Sequence, residues 1–443
     1  MNAEVRLVKN SAEQALAEAY IAAKPRLPGD SKVVALRDAA FGRFEALGLP
    51  HRRIEEWKYT DLRALMREAR PIAGAPDAAA KARAKDAGRL IGDMDVRRIV
   101  FVDGVFAPEL SDLDNLSPGL AIGSMAQALA AGDPLVAKHL GQVVPSEREG
   151  VVALNTALMR DGAVIRVAKG ATVERPIHLV FAATGERPAS VFTRSLVVIE
   201  QGARVMLVES HDATAAHQVN TVLDLVVEDE AHVDHIKLTA GPADLVHVSS
   251  LMVSVGARAR LNDFAFNVGG GVVRNQVFVR FDGSGTVASL HGASMLRGKQ
   301  HVDTTLVCDH KASGCQSREV FASVLDGESR GVFQGKIVVR PHAQQTDARM
   351  MTRALLLSED AEADSKPELE IFADDVQCGH GATSGALNQD LKFYLMARGI
   401  PETEAEALLV QAFVGEAVEG IEHAGLRDAL MGHVAAWLKA RER

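Results

Sequence analysis

The chain has 443 residues, of which 47% are apolar and 24% are charged, and its formal net charge is −9. This length and composition indicate a soluble globular protein of two or three domains with a large core. The acidic balance argues against a nucleic-acid partner, because neutralising phosphates requires a basic surface. Apolar runs are shorter than the roughly 20 residues that cross a bilayer, so we expect no membrane-spanning segment.

The N-terminus and the cysteines indicate a compartment. Residues 1–7 lack the apolar core and the small-residue cleavage site of a signal peptide. The three cysteines are an odd number in a long chain, which favours reduced thiols over a disulfide framework. We therefore expect a cytoplasmic protein.

Residues 1–100 have a helical pattern and form the predicted N-terminal helical region. Ser11 and Gln14 have the spacing of a capping box at the start of one helix. A second helix is predicted to begin near Asp30 and to end at Gly48, because Asp is a good N-cap and Gly a good helix stop.

Two stretches of this N-terminal part are predicted to connect other elements. Residues 53–62 are dense in charge and are interpreted as a linker anchored by Trp57. Residues 73–87 are rich in Ala, Lys, Asp and Pro, which is typical of a flexible or weakly helical connector. Residues 101–150 are predicted to lead into the next domain.

From residue 151 to residue 384 the pattern is that of β-structure. Short apolar strands are separated by Gly, Asp and Ala turns, and no helical periodicity persists. A similar turn recurs about every 26 to 32 residues, a period that indicates stacked rungs. The turn begins at Gly170, Gly202, Glu230, Gly256 and Gly285. The prediction is a mainly β protein whose core is a β-helix with helical regions at its ends.

Residues 385–443 are predicted to be helical again. One helix ends at Gly399 and another begins at Pro401, in agreement with the usual positions of these residues. The second helix has an apolar face at helical spacing, formed by Ala405, Leu408, Leu409, Ala412 and Phe413. Such a face packs within the protein or binds a partner, and amphipathicity does not distinguish the two.

Most motifs that would carry chemistry are incomplete. The Gly292 to Lys299 segment has the wrong glycine spacing for a phosphate-binding loop, so another chain would have to bind any ATP. Cys308, His310 and Cys315 resemble half of a zinc site, but free cysteines are more often small buried hydrophobes.

The alternation of side chains along a strand predicts which residues of two pairs can act together. His232 and His235 are three residues apart, so on one strand they would face opposite sides. Cys378 and His380 are two apart and would face the same side, flanked by glycines that allow close approach of another surface. Thiolate and imidazole are ligands of iron, zinc and iron–sulfur clusters, but two ligands do not complete a site.

Several motifs together resemble the SufB/SufD family of the SUF iron–sulfur cluster assembly machinery. The most specific is KPELEIFADDVQCGHGAT at 366–383, followed by FYLMARGI at 393–400. EEWKYTDL at 55–62, GVFQGKIVV at 331–339 and LLLSEDAE at 355–362 agree as well. The resemblance covers nearly the whole chain and is weakest in the Ala-rich connector.

The resemblance implies a right-handed parallel β-helix and a non-enzymatic scaffold role. SufD pairs with SufB, and each binds one copy of the ATPase SufC through its C-terminal helical region. SufB has a glutamate after the motif histidine and supplies a cysteine from a late rung. This chain has Gly381 after His380, so it is similar to the SufD branch.

The resemblance also implies site residues and cofactors. Its functional histidine corresponds to His380, Cys378 lies in the same motif, and a transient cluster or iron would form at the SufB–SufD interface. The region that contacts SufC contains Leu408, Leu409, Ala412 and Phe413. Reduced flavin is associated with the family's complexes. We expect no tightly bound group on the isolated chain. Whether the isolated chain forms a homodimer is left open.

Two alternatives stay open beside the scaffold. The first is a cytoplasmic β-helix enzyme, such as a polysaccharide lyase or hydrolase, although the chain has only three Tyr and two Trp to line a sugar groove. The second is a self-contained metalloprotein that uses Cys308, His310 and Cys315.

Overall fold

The structure is a computed structural model that describes residues 9–144 and 146–441. The expectation about a signal peptide rests on residues 1–7, which lie outside the described residues. No described helix is both long enough and apolar enough to cross a bilayer.

Helices occupy the two ends of the described chain and a short stretch before the main strands. Their bounds are α1 Ser11–Ala23, α2 Ser31–Leu47, α3 Leu62–Leu65, α4 Ala78–Ala84, α5 Met125–Ala131, α6 Pro134–His139, α7 Gly150–Leu158, α8 Gln389–Met396, α9 Glu402–Val418 and α10 Ala424–Arg441.

Strands occupy most of the middle of the chain, and many are ten residues long. Their bounds are β1 Arg97–Val102, β2 Val105–Phe106, β3 Leu120–Ser124, β4 Ala163–Val167, β5 Ile177–Ala183, β6 Ser190–Ile199, β7 Arg204–Ala213, β8 Gln218–Val227, β9 His232–Ala240, β10 Val246–Val255, β11 Arg260–Asn267, β12 Val272–Phe281, β13 Val287–Leu296, β14 His301–His310, β15 Gln316–Leu325, β16 Arg330–Val339, β17 Asp347–Leu356, β18 Glu362–Ile371 and β19 Gln377–Gly385.

The strands form a parallel β-helix, as predicted. From β4 onward successive strands alternate between two sheets, and each of β6 to β17 pairs in parallel with the strands two places before and after it. We call the sheet that ends at β18 the even sheet and the sheet that ends at β19 the odd sheet. Antiparallel pairs β1–β2 and β3–β4 close the other end of each sheet.

A stack of left-handed turns sets the length of the rungs. Gly202, Glu230, Arg258 and Gly285 have φ of 70°, 62°, 52° and 71°. The N–H of each donates to the rung above, for example from Arg258 to the Ser284 carbonyl at 2.9 Å. The sequence-based repeat placed this turn at Gly256, which is wrong by two residues, because the hydrogen bonds between rungs align Arg258 and not Gly256 with Glu230.

The core lies between the two sheets, and helices cover their outer faces. Inward-facing Val, Leu, Ile and Phe of successive rungs form one continuous cluster. Helices α1, α2 and α7 pack on the outer face of the even sheet, where Phe192 and Val222 are buried. Helices α9 and α10 pack on the outer face of the odd sheet, where Phe264 and Met295 are buried. Each such side chain contributes about 1.5–3 kcal/mol to the free energy of unfolding.

The N-terminal helices follow the predicted bounds with one change of cap. Asp30 caps α2, and Gly48 ends it with φ of 71°, both as predicted. The capping box of α1 is formed by Asn10 and Glu13 and not by Ser11 and Gln14. The Asn10 side chain accepts the Glu13 N–H at 2.8 Å, which shifts the cap one residue towards the N-terminus.

The charged segment 55–62 is bound to the even sheet along its length. Trp57 is 2% exposed, and its ring lies 4.4 Å from the guanidinium carbon of Arg274 on β12. Thr60 hydrogen-bonds Asp303 on β14, and Glu55 hydrogen-bonds Lys366 on β18. The predicted Trp57 anchor is confirmed, and the segment links several rungs besides connecting two helices.

The start of the β-helix differs from the predicted boundary at residue 151. Strands β1 and β3 already belong to the two sheets, whereas Gly150–Leu158 is the helix α7. All nine residues of α7 are buried between α2 and the even sheet. A short apolar run of this kind fits a buried strand or a buried helix equally well, because it lacks a polar face.

Candidate metal-ligand site at the open end of the β-helix

The last rung leaves two sheet edges uncovered. β18 and β19 are the terminal strands of the even and odd sheets, and among the described residues no strand pairs with their outer edges. Most of their residues are exposed or half-buried, in contrast to the strands of the middle rungs. Parallel edges of this length present unpaired N–H and C=O groups that can pair with another chain.

Cys378 and His380 both lie on β19 and face the same side of the odd sheet, as predicted. Cys378 is in register with Ala348, and His380 is in register with Met350. Ala348 and Met350 belong to the interior cluster, so both candidate ligands continue interior positions of the β-helix at its open end. Cys378 is half-buried against that cluster, and His380 is exposed.

The two candidate ligands differ in how readily they would bind a cation. Burial raises the pKa of the Cys378 thiol, so a metal must displace its proton before the sulfur binds. The exposed imidazole of His380 is directly accessible. A Cβ at Gly379 would meet no atom within 4 Å, which leaves the outer side of β19 open to another backbone. The open end therefore offers one exposed candidate ligand, His380, and one candidate ligand that needs deprotonation, Cys378.

Polar groups lie beneath His380 in the same interior row. Glu319 on β15 is in register with Met350, and burial raises the pKa of its carboxyl to about 7. Glu319 Oε1 accepts from the Cys308 thiol at 3.5 Å, while its Oε2 has no hydrogen-bond partner among the described residues. Glu319 was not predicted as a site residue, because its only signal in the sequence is a carboxylate at an inward position of a strand.

Cys308, His310 and Cys315 do not come together as a metal site. Burial raises the pKa of both thiols, which disfavours the thiolate that a metal requires. His310 stacks on Phe281 with ring centroids 4.0 Å apart and hydrogen-bonds Ser317. Cys315 is the small residue that follows the left-handed turn at Gly314. All three side chains are part of the packed interior.

His232 and His235 face opposite sides of β9, as predicted. His235 is buried inside the β-helix between Asp263 at 2.6 Å and Glu209 at 3.1 Å. Burial opposes its protonation, but these two carboxylates raise the pKa of His235 to about 9. Lys237 lies in the same interior, where burial lowers its pKa to about 8. This charged cluster lies five strands of the odd sheet from His380.

An exposed apolar surface adjoins the open end. We call it the C-terminal apolar surface, and it comprises Leu391, Phe393, Tyr394 and Met396 of α8 and Leu408 of α9. Ile371 and Phe372, at the end of β18, are exposed separately from it. Phe393 is 72% exposed, and no residue of α8 is buried. An exposed apolar patch of this kind marks an interaction site.

The predicted apolar face of α9 is divided between the interior and the solvent. Ala405 is buried and Phe413 packs partly against the odd sheet, whereas Leu408 and Ala412 are exposed and Leu409 is half-buried. The buried side of α9 is instead dominated by Val and Ala residues, namely Val410, Val414, Ala417 and Val418. The predicted face thus lies mostly at the edge of the packed side.

Comparisons with known proteins identify the family of this chain. Residues 181–413 match the model described as SUF system FeS cluster assembly, SufBD core domain, and residues 11–179 match the SufBD protein N-terminal region. An iron–sulfur cluster assembly SufBD family protein of Synechocystis is 31% identical over 90% of each chain.

Relatives that carry the name SufD span much of the chain. The iron–sulfur cluster assembly protein SufD of Escherichia coli is 29% identical over 89% of this chain and 91% of its own. The SufD of Bacillus subtilis is 26% identical over 67% of this chain and 68% of its own. The chain belongs to the SufBD family of the SUF iron–sulfur cluster assembly system.

Proposed function

We propose that this chain is the SufD-type scaffold subunit of a cluster assembly complex, and that it pairs with SufB through β18 and β19. In this proposal His380 is a ligand of the nascent cluster, and Cys378 is a second ligand that binds after deprotonation. The cluster or its iron is cargo, and the partner completes the site. The role is not enzymatic, and ATP hydrolysis belongs to SufC.

One observation carries the proposal, namely that His380 lies exposed on the terminal strand of a sheet. A partner strand that pairs with the free edge of β19 would come close to His380. Two ligands on one strand leave a tetrahedral site half empty, so the remaining ligands have to come from the partner.

The C-terminal apolar surface is the proposed binding site of a second partner, near the open end of the β-helix. Helix α8 presents Phe393 and Tyr394 to solvent, and α9 presents Leu408. We propose that this surface, with Leu409, Ala412 and Phe413 at its edge, binds SufC.

We also propose that the protein functions in the cytoplasm. The described cysteines form no disulfide, which is consistent with a reducing compartment. Flavin in the complex and a homodimer of the isolated chain stay predictions.

The ligand role is tested by His380→Ala in the complex with SufB and SufC. We expect the variant complex to assemble and to lose cluster formation in anaerobic reconstitution, because only an exposed ligand is removed. His342→Ala is the matched control, since His342 is also exposed but lies on the turn between β16 and β17 and not on β19. Normal cluster formation by His380→Ala would refute the role.

The two docking surfaces are tested by separate charged substitutions. Phe372→Asp, beside the edge of β18, should reduce co-purification of SufB, and Phe393→Asp on α8 should reduce that of SufC. Ile21→Asp is the matched control, because Ile21 is 70% exposed on α1, outside both surfaces. Equal loss of both partners from either variant would contradict the separate assignment.

A further inference from the structure

Three potential metal ligands meet on the outer face of the odd sheet, away from the open end. His232 and Asp234 lie two residues apart on β9, and Glu422 lies in the connection between α9 and α10. One ligand atom of each residue lies within 4.8 Å of the other two. The sequence does not reveal this group, because Glu422 is distant in the chain from His232 and Asp234.

The polar atoms of this group are not all paired within the described part of the chain. His232 Nε2 is buried without a hydrogen-bond partner among the described residues, 3.8 Å from Asp234 Oδ1. A buried polar atom without a partner costs about 1–3 kcal/mol. In the described part of the chain, neither Asp234 nor Glu422 forms an ion pair with Lys or Arg. Arg204 and Arg260 flank His232 in register, but both are exposed.

The surrounding residues hold the ligands in place and leave room beside them. Asn262 donates to Asp234 Oδ1 at 2.7 Å, which orients the carboxylate. Gly420 packs so closely that a Cβ there would lie 2.3 Å from His291 Nδ1, and Ile421 is 3% exposed. The segment before Glu422 is therefore docked on the sheet. A cavity of about 260 Å³ adjoins the group.

We propose that His232, Asp234 and Glu422 bind a divalent first-row transition metal ion. One imidazole and two carboxylates suit Mn²⁺, Fe²⁺, Co²⁺ or Zn²⁺ better than they suit soft cations. Bonds of about 2.0–2.2 Å place ligand atoms about 3–3.5 Å apart. The ligands therefore have to close by about 1 Å, which the exposed Glu422 side chain allows.

His423 lines the same cavity but is not one of the ligands. Its Nδ1 accepts the N–H of Leu426 at 3.2 Å at the start of α10. A neutral imidazole that accepts at Nδ1 carries its proton on Nε2, which then has no lone pair for a metal. His423 therefore does not fill a coordination position. Water in the cavity can occupy the positions that His232, Asp234 and Glu422 leave free.

The bound ion would connect the C-terminal helical region to the β-helix. Two ligands belong to β9 and the third to the connection between α9 and α10. Metal binding would thus stabilise the docking of these helices, since an ion that binds only the folded arrangement raises its stability.

The test is Co²⁺ titration of the full chain after treatment with a chelator. The parent for this test is the Cys378→Ser/His380→Ala variant, so that binding at the open end does not contribute. We expect one equivalent of Co²⁺ by calorimetry, with visible absorption bands and a rise in melting temperature. His232→Ala, Asp234→Asn and Glu422→Gln should each lower the affinity by about tenfold or more.

His342→Ala in the same parent is the control and should leave the affinity unchanged. The three ligand side chains are exposed or half-buried, so the variants are expected to fold, and circular dichroism checks this. The proposal is overturned if the parent binds no Co²⁺, or if the ligand variants bind it as tightly as the parent does. Neither outcome bears on cluster assembly at His380.

Discussion

Glu319 is a buried carboxyl inside the β-helix, and Glu319→Gln should stabilise the protein at alkaline pH. Its neighbours are the Cys308 thiol and Met350, and the pKa of its carboxyl is raised by burial from 4.5 to about 7. Above pH 7 the folded chain contains a charge in the interior that, among the described residues, forms no ion pair with Lys or Arg. Glutamine has nearly the same shape and no charge.

The size of the effect follows from the two pKa values. A folded-state pKa above the unfolded one means that stability is full below pH 4.5 and is lost as the pH rises through about 7. A difference of about 2.5 pKa units corresponds to about 3 kcal/mol. Glu319→Gln should therefore unfold with a free energy about 3 kcal/mol larger than the parent at pH 8, and less than about 1 kcal/mol larger at pH 5.

The measurement is urea unfolding of both chains at pH 5 and pH 8, followed by circular dichroism. Glu186→Gln is the matched control, because the Glu186 side chain is 81% exposed and should give no pH-dependent difference. A difference between Glu319→Gln and the parent that does not change with pH would refute the argument, since it would reflect packing and not ionisation.

Three further substitutions test the packing and the interior charges. His235→Asn should destabilise by about 3–5 kcal/mol in urea unfolding, because it leaves two buried carboxylates without their cation. This loss should shrink above pH 9, since the contribution of His235 is full below pH 6.5 and is lost as the pH rises through about 9. Trp57→Ala should lower the free energy of unfolding by about 3–5 kcal/mol, and loss of less than about 1 kcal/mol would contradict the anchoring role. Gly283→Ala should lower it by about 3 kcal/mol, because a Cβ there would lie 1.9 Å from the Ala257 backbone nitrogen, whereas Gly123→Ala meets no atom within 4 Å and should be nearly neutral in the same assay.

Local patterns predicted the elements and their order. Alternation of apolar residues and the recurring turn indicated a β-helix, and the caps at Asp30 and Gly48 were located correctly. The turn at Gly256 was misplaced, because glycine marks many turns and the sequence does not show which residue aligns with the rung below. Residues 151–158 were assigned to the β-helix core for a similar reason, since a helix buried on all sides has no amphipathic period.

The candidate site, like the fold, was predicted only in part from the sequence. Strand alternation was sufficient to put Cys378 and His380 on one face and His232 and His235 on opposite faces, because the side-chain period of a strand is local. It could not show that β19 is the last strand of its sheet, since that depends on which strands pair. It also could not show that Glu319 and Asp263 line the same interior row as His380.

The sequence by itself determined the family, the solenoid and the two candidate ligands on β19. Only the tertiary structure decided which rung is left open, which side of α9 is packed, and which distant residues meet. Glu422 illustrates the physical reason, because it reaches His232 and Asp234 only when α9 and α10 pack on the odd sheet. Contacts between residues that are distant in the chain depend on such packing, and no local period encodes them.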